Sequence, residues 1–260
     1  MKNIKKILAV IMAGVLASAI LAACGGSGSA APATEAAGAA GGVLKMVTEA
    51  TFPPYESYEG GEIVGIDVDI AKAIAEELGM TLEIEDMAFD SLIAAVQSGK
   101  ADIAAAGMTV TEDRLKNVNF TEPYATGIQV IIVREDSDIK SLDDLAGKKI
   151  AVQTGTTGEI YAEDIEGAEI QSFTKATDAV LEVLNGKADA MMIDNEPAKA
   201  YVAANEGLKI LEEEFAVEDY AIAIAKENTE LLERINNALK NLKESGKLDE
   251  IVAKYITTEE

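Results

Sequence analysis

Residues 96–103, Val-Gln-Ser-Gly-Lys-Ala-Asp-Ile, return as residues 183–190, Val-Leu-Asn-Gly-Lys-Ala-Asp-Ala. In both copies an apolar stretch stops on a glycine, Gly99 or Gly186, and a Lys-Ala-Asp step leads into a second apolar stretch. Glycine takes the left-handed conformation that ends a helix without penalty, so each copy reads as helix, sharp stop, buried strand. Lys149-Ile150-Ala151-Val152 likewise repeats Lys45-Met46-Val47, each running into a small polar loop. Two α/β lobes built alike explain these echoes. One continuous α/β sheet remains the alternative, because helix-glycine-strand is a common unit.

The flanking sequence has the same rhythm. Val43 to Thr48 reads as a strand broken by the loop Thr51-Phe52-Pro53-Pro54, and Ile63 to Ile66 reads as a second strand. Asp67 or Asp69 then caps a helix with Ile70, Ile74 and Leu78 four apart and Gly79 at its end. Thr81 to Glu85 is another strand, and Asp90 caps a helix through Leu92, Ile93 and Val96 that stops at Gly99. Such alternation predicts a largely parallel sheet covered on both faces. Near the C-terminus Tyr220 to Ala225 reads as a strand. Thr229 then opens a helix with Leu231, Leu232, Ile235, Leu239 and Leu242 on one stripe, ending at Gly246. Following the second lobe, these elements are expected to return to the first. Lobe 1 is then 43–128 plus 221–260 and lobe 2 is 129–220, with a hinge near Ala125–Gln129 and Glu218–Ala221.

Composition excludes most chemistries. The chain has 260 residues, is 48% hydrophobic and 26% charged, and carries a formal charge of -24. An excess of acid this large argues against a nucleic-acid partner. Histidine is absent, which removes imidazole bases and His-ligated metals, and the single cysteine forms no internal disulfide or thiolate cluster. No cofactor and no metal are expected.

Lys2, Lys5 and Lys6 precede an apolar run from Ile7 to Ala23. This is the layout of a secretory signal, while a transmembrane anchor would want about 20 apolar residues. Leu21-Ala22-Ala23-Cys24 resembles a bacterial lipobox, whose cysteine is lipidated and becomes the mature N-terminus. The expectation is a lipoprotein signal peptide at 1–23 and a Gly/Ala/Ser tether at 24–42, too poor in apolar residues to fold. The chain would be held by Cys24 on the extracytoplasmic side of the cell membrane.

Several residues could hold a small charged ligand. Arg114, three residues after the N-cap candidate Thr111, offers a planar fork to a carboxylate, or else pairs at the surface with Glu112 or Asp113. Gly155-Thr156-Thr157-Gly158 forms an amide nest at a helix start, or simply a cap, and lacks a phosphate-loop lysine. Asp194 ends the apolar strand Met191-Met192-Ile193 and suits an ammonium or a cap. Phe52 and Phe89, two of few aromatics, sit beside Pro-Pro and Asp90, where ligand contact and core packing are both open.

Four segments carry a specific resemblance: Thr48 to Glu56, Phe89 to Ile93, Ala106 to Arg114, and Gln153 to Gly158, followed by Leu239 to Tyr255. Together they resemble the extracellular solute-binding proteins of polar amino-acid ABC transporters, which include glutamine- and basic-amino-acid-binding lipoproteins. The resemblance implies a two-lobed periplasmic-binding-protein-like α/β fold, each lobe a mostly parallel sheet flanked by helices, joined by a two-stranded hinge. It implies that Arg114 grips the ligand carboxylate, helped by the amide and hydroxyl of Thr109 and by the Thr156 and Thr157 amides from the second lobe. Gly107 would turn its carbonyl, and Asp194 its carboxylate, toward the ammonium, with Phe52 and Phe89 sandwiching the side chain. Glu49 stands where members selecting basic amino acids carry an acid, and Gln153 resembles arginine-selective members. The implied protein is a monomeric receptor, not an enzyme, which presents arginine or lysine to a permease; a glutamine or other polar ligand is also open. A same-fold dehydratase or glycan-cleaving enzyme, or an amino-acid-sensing lipoprotein, is the alternative.

Overall fold

The computed structural model describes residues 41–256. The expected signal peptide, Cys24 and all but the last two residues of the tether lie outside the described residues. No helix among the described residues is long and apolar enough to cross a membrane.

The first lobe opens with β1 (Val43–Thr48), an antiparallel trio β2 (Thr51–Phe52), β3 (Glu56–Glu59) and β4 (Glu62–Val64), and helix α1 (Ile66–Glu77). It continues through β5 (Thr81–Asp86), α2 (Leu92–Gln97), β6 (Ile103–Ala104), α3 (Glu112–Leu115) and β7 (Val118–Phe120). The second lobe holds β8 (Ala125–Arg134), β9 (Lys149–Gln153), α4 (Thr157–Glu163), β10 (Glu169–Phe173), α5 (Ala176–Leu184), β11 (Ala190–Asp194), α6 (Asn195–Ala204), β12 (Leu208–Ile210) and β13 (Ala216–Tyr220). The chain then returns with β14 (Ala223–Ala225), α7 (Thr229–Glu244) and α8 (Lys247–Tyr255).

The first sheet runs β5-β1-β6-β14-β7 with only β14 reversed; the second runs β10-β9-β11-β8-β12, with β13 also on β8, and only β8 reversed. The chain passes between sheets twice, from β7 to β8 and from β13 to β14. The two crossing segments pair antiparallel, with Ala125 opposite Tyr220 and Gln129 opposite Ala216. This is a two-lobed α/β fold joined by two strands.

The repeated octapeptide is repeated in atoms. Asp102 takes the Lys45 amide at 2.8 Å and gives its own amide to the Lys45 carbonyl at 2.9 Å. Asp189 does the same with Lys149, at 2.9 and 2.8 Å. Gly99 and Gly186 both sit in the left-handed region, at φ 72° and 70°. Each Lys-Ala-Asp step therefore ties the head of one parallel strand to the loop entering its neighbour, which satisfies backbone groups at the sheet margin.

Four local expectations are corrected. The strand read over Ile63–Ile66 is Glu62–Val64, and Ile66 already belongs to α1, whose N-cap is Gly65 rather than Asp67 or Asp69. Asp67 turns inward instead, to partners described below. Asp90 lies in a single 3₁₀ turn, Phe89–Ser91, and Ser91 holds the N-cap position of α2. The run Tyr220–Ala225 is two strands in two sheets, because an unbroken strand could not serve both lobes. The stripe on α7 is as expected: Leu231, Ile235, Leu239 and Leu242 are buried in the first lobe's core, each contributing about 1.5–3 kcal/mol, with Leu232 partly buried beside them.

Candidate ligand-binding site between the lobes

Parallel strands with one face covered by helices leave a crevice at their carboxyl ends, and the residues singled out above sit there. Glu49 follows β1, Gly107 follows β6 by three residues, and Gln153 and Asp194 end β9 and β11. With Phe52, Phe89, Thr109, Arg114, Thr156 and Thr157 they line one narrow cavity of about 20 Å³. All ten sequence-derived candidates are thus brought together. Glu56 and Ala106 complete the wall.

Arg114 is not a surface residue. Thr111 caps α3 by accepting the Arg114 amide at 3.2 Å, which points the side chain inward, where it is 8% exposed. Its guanidinium donates to the Thr109 carbonyl at 2.7 Å and across the cleft to the Gly155 carbonyl at 2.9 Å. Phe89 lies over it, 5.2 Å from ring centre to Cζ. Two of five N–H groups are used this way, so donors remain for an anion.

Glu49 is buried, and its carboxylate accepts from the Thr51 hydroxyl at 2.8 Å and from the Gln153 amide of the other lobe at 3.1 Å. Burial raises its pKa, while those two hydrogen bonds pull the other way. Asp194 stands at the N-cap position of α6 but makes no side-chain cap; its carboxylate accepts from the phenol of Tyr220. Burial pushes this carboxyl up to about 7.

Sequence reading missed a second tier of residues. Glu218, on β13, accepts from the Thr109 hydroxyl at 3.1 Å, the Thr157 hydroxyl at 3.0 Å and the Gln129 amide at 3.0 Å. The Thr109 hydroxyl proton is therefore committed to Glu218, and its backbone N–H is the donor left for an anion. Asp67 accepts the Gly107 amide at 2.8 Å and the Tyr124 phenol at 2.7 Å. Tyr201 donates across the cleft to the Thr51 carbonyl. Glu56 lay inside a quoted motif and Glu218 and Tyr220 inside the expected hinge, but no local pattern marks an acid or phenol as buried. Among the described residues no group of three or more His, Cys, Asp or Glu side chains is placed to hold a metal ion.

The guanidinium is fixed, and three buried acids, Glu49, Glu56 and Asp194, line the wall, a set that suits a small charged molecule. The expected amide nest is partly taken, because the Gly155 amide donates to Glu159 at 2.6 Å and the Thr156 amide to the Gln153 carbonyl at 3.4 Å. The profile of the bacterial extracellular solute-binding proteins, family 3, matches residues 44–258. The chain belongs to that family. It is thus an extracellular solute-binding protein of a polar amino-acid ABC transporter, and its relatives are binding proteins rather than enzymes. The arginine-binding extracellular protein ArtP of Bacillus subtilis is 34% identical over 262 residues, spanning 98% of this chain and 99% of its own. Among solved structures, an ancestral arginine-binding protein bound to arginine is 45% identical with a TM-score of 0.80, over 82% of this chain and 98% of that one. An ancestral arginine-binding protein bound to glutamine is 44% identical with a TM-score of 0.78, over 83% and 98%.

Proposed function

We propose that this solute-binding protein captures a basic L-amino acid, arginine or lysine, and delivers it to its permease while held to the membrane by a lipid on Cys24. The observation that carries the basic preference is Glu49: a buried acid in the cavity wall, oriented from both lobes by Thr51 and Gln153. A buried carboxylate is costly without a partner, and a guanidinium or ammonium on the ligand side chain would supply one. Arg114 and the amides of Thr109, Thr156 and Thr157 take the ligand carboxylate, Asp194 and the Gly107 carbonyl take the ammonium, and Phe52 and Phe89 flank the side chain. The names of the arginine-binding relatives support this reading.

The moving bodies are 43–128 with 221–260, and 129–220. Because the ligand touches both, it binds the closed arrangement better and shifts the population toward it. The Gly/Ala/Ser run at 24–42 would tether the bodies to the lipid. Cys24→Ala should release the protein from the membrane fraction; retention of that variant would end the anchor assignment.

Glutamine is the second reading, favoured by the glutamine-bound ancestral structure and by the Glu49–Gln153 pair, which can exchange hydrogen bonds with a ligand amide. Calorimetric titration of refolded, ligand-stripped protein with all twenty amino acids separates the two. Arginine and lysine should bind, with Glu49→Gln weakening them by about tenfold or more and leaving glutamine unaffected. Binding of glutamine alone would transfer the assignment to it, and no binding by folded protein would overturn amino-acid capture.

A further inference from the structure

Glu56 is an acid in the cavity wall with no use in the reading above. Its side chain is 0% exposed, and neither carboxyl oxygen meets a conventional donor among the described residues. The Oδ1 of Asp67, also buried, is in the same position. The two acids are neighbours: the Asp67 amide donates to the Tyr55 carbonyl at 3.0 Å, and each carboxyl shifts the titration of the other. Two carboxylates could not satisfy each other, since both only accept. A single proton on Glu56 resolves the arrangement: its O–H serves Asp67 Oδ1, and Asp67 Oδ2 is left to accept from Gly107 and Tyr124.

The surrounding charge agrees. Glu56 feels the charges of Asp67 on α1, Glu49 after β1 and Asp194 at the end of β11, and it lies among the phenols of Tyr55, Tyr124 and Tyr201. The cation lining the same cavity, Arg114, spends its bonds on the Thr109 and Gly155 carbonyls. Burial first, then the charges of Asp67 and Glu49, push the Glu56 carboxyl well above the usual carboxylate range. Asp67 rises less, to about 6, because the Gly107 amide and Tyr124 phenol favour its ionised form, which makes it the acceptor of the pair. A basic amino acid brings one carboxylate and two cations, met by Arg114, Asp194 and Glu49. An ionised Glu56 would have no counterpart.

We propose that Glu56 is a neutral carboxylic acid in the binding cavity, hydrogen-bonded through its O–H to Asp67 and presenting its other oxygen to an N–H of the captured amino acid. Through Asp67 it also positions Gly107. The ligand contact rests on the amino-acid-capture reading; the protonation stands on the protein alone.

Infrared difference spectroscopy between wild type and Glu56→Gln at neutral pH reads the proton directly, because the other acids cancel in the difference. The expected result is a protonated-carboxyl C=O band in the wild type that the variant lacks. Glutamine keeps a donor for Asp67 and an acceptor for the ligand, so arginine affinity should stay within about threefold, whereas Glu56→Leu should weaken it about tenfold or more. Absence of the band, or a loss of about a hundredfold in Glu56→Gln, would overturn the proposal. If that variant does not fold, carbon-13 NMR of wild-type glutamate carboxyls decides it: a glutamate still at the protonated position supports the proposal and a fully ionised set overturns it. Wild-type protein that binds no amino acid would overturn the ligand contact and the capture reading while the band still reports the protonation.

Discussion

The phenol of Tyr220 donates to Oδ1 of Asp194, so the acid at the end of β11 is held by the last residue of β13, where the chain leaves the second sheet. Tyr220 is fully buried, stacks edge-on with Tyr55 at 5.2 Å, and bridges Thr109 through its backbone. It therefore touches Asp194, Thr109 and the crossing between lobes at once. A change at Tyr220 should be felt as ligand affinity, not only as stability.

Tyr220→Phe removes the donor and keeps the ring. A hydrogen bond to a charged group is worth about 1.5–3 kcal/mol, and in the ligand-free protein a raised Asp194 pKa absorbs part of that loss. With the ligand ammonium bound Asp194 must be ionised, so arginine affinity should fall about tenfold or more at neutral pH in calorimetry. An unchanged affinity would show that Tyr220 packs without positioning Asp194.

Gly127, on β8, faces Tyr220 closely enough that a Cβ there would lie 2.1 Å from the phenol oxygen. Gly127→Ala should push the ring aside and break its contact with Asp194. Overpacking of this kind costs about 1–3 kcal/mol, read as a lower midpoint in urea, and the variant should also share the affinity loss of Tyr220→Phe. A double variant less than additive with Tyr220→Phe would place both effects on one contact.

Arg114→Lys keeps the charge but loses the fork. One ammonium cannot reach the Thr109 and Gly155 carbonyls in the geometry the guanidinium uses and still meet a carboxylate bidentately. Affinity for any amino acid should fall by about a hundredfold, regardless of side chain, whereas Glu49→Gln acts on basic ligands alone. A loss confined to arginine and lysine would contradict the assignment of Arg114 to the carboxylate.

The pH dependence follows from the raised acids. Burial pushes Asp194 up from 3.8 to about 7, against the lowering hydrogen bond from Tyr220, and Asp67 moves the same way to about 6. Between their unfolded and folded values the native protein holds more protons than the unfolded chain, so ligand-free stability falls as pH rises from about 4 to 7. For Asp194 this amounts to at most about 4 kcal/mol. In the proposed complex the ligand ammonium favours the ionised form, so affinity should rise over the same window with proton release, and Asp194→Asn should lower the number of protons released, leaving any contribution from Glu49. Binding enthalpies measured in two buffers of different ionisation heat count that proton.

Much of this was legible in the chain because it is written locally. The paired Gly-Lys-Ala-Asp steps, the α7 stripe and the cap Thr111 beside Arg114 depend on neighbours a few residues away, where periodicity and capping rules apply. The errors are local too. Asp67 looked like a cap because caps are the usual fate of an acid before an apolar helix, yet its partners Gly107 and Tyr124 are 40 and 57 residues distant. Tyr220–Ala225 looked like one strand because hydrophobicity does not say which of two sheets a residue joins.

The sequence by itself determined the two repeated α/β units, the excess of acid and the absence of imidazole chemistry, since each follows from composition or spacing, and its resemblance to the solute-binding proteins picked out the ten residues around the cavity. Only the tertiary structure decided how those residues are held: Asp194 by Tyr220, Thr109 and Thr157 by Glu218, and Glu49 by Gln153. Each of these contacts joins residues far apart in the chain and depends on burial. Burial raises the cost of an unpaired charge or donor until a partner is fixed, and it exists only once the sheets and their helices have closed around the site.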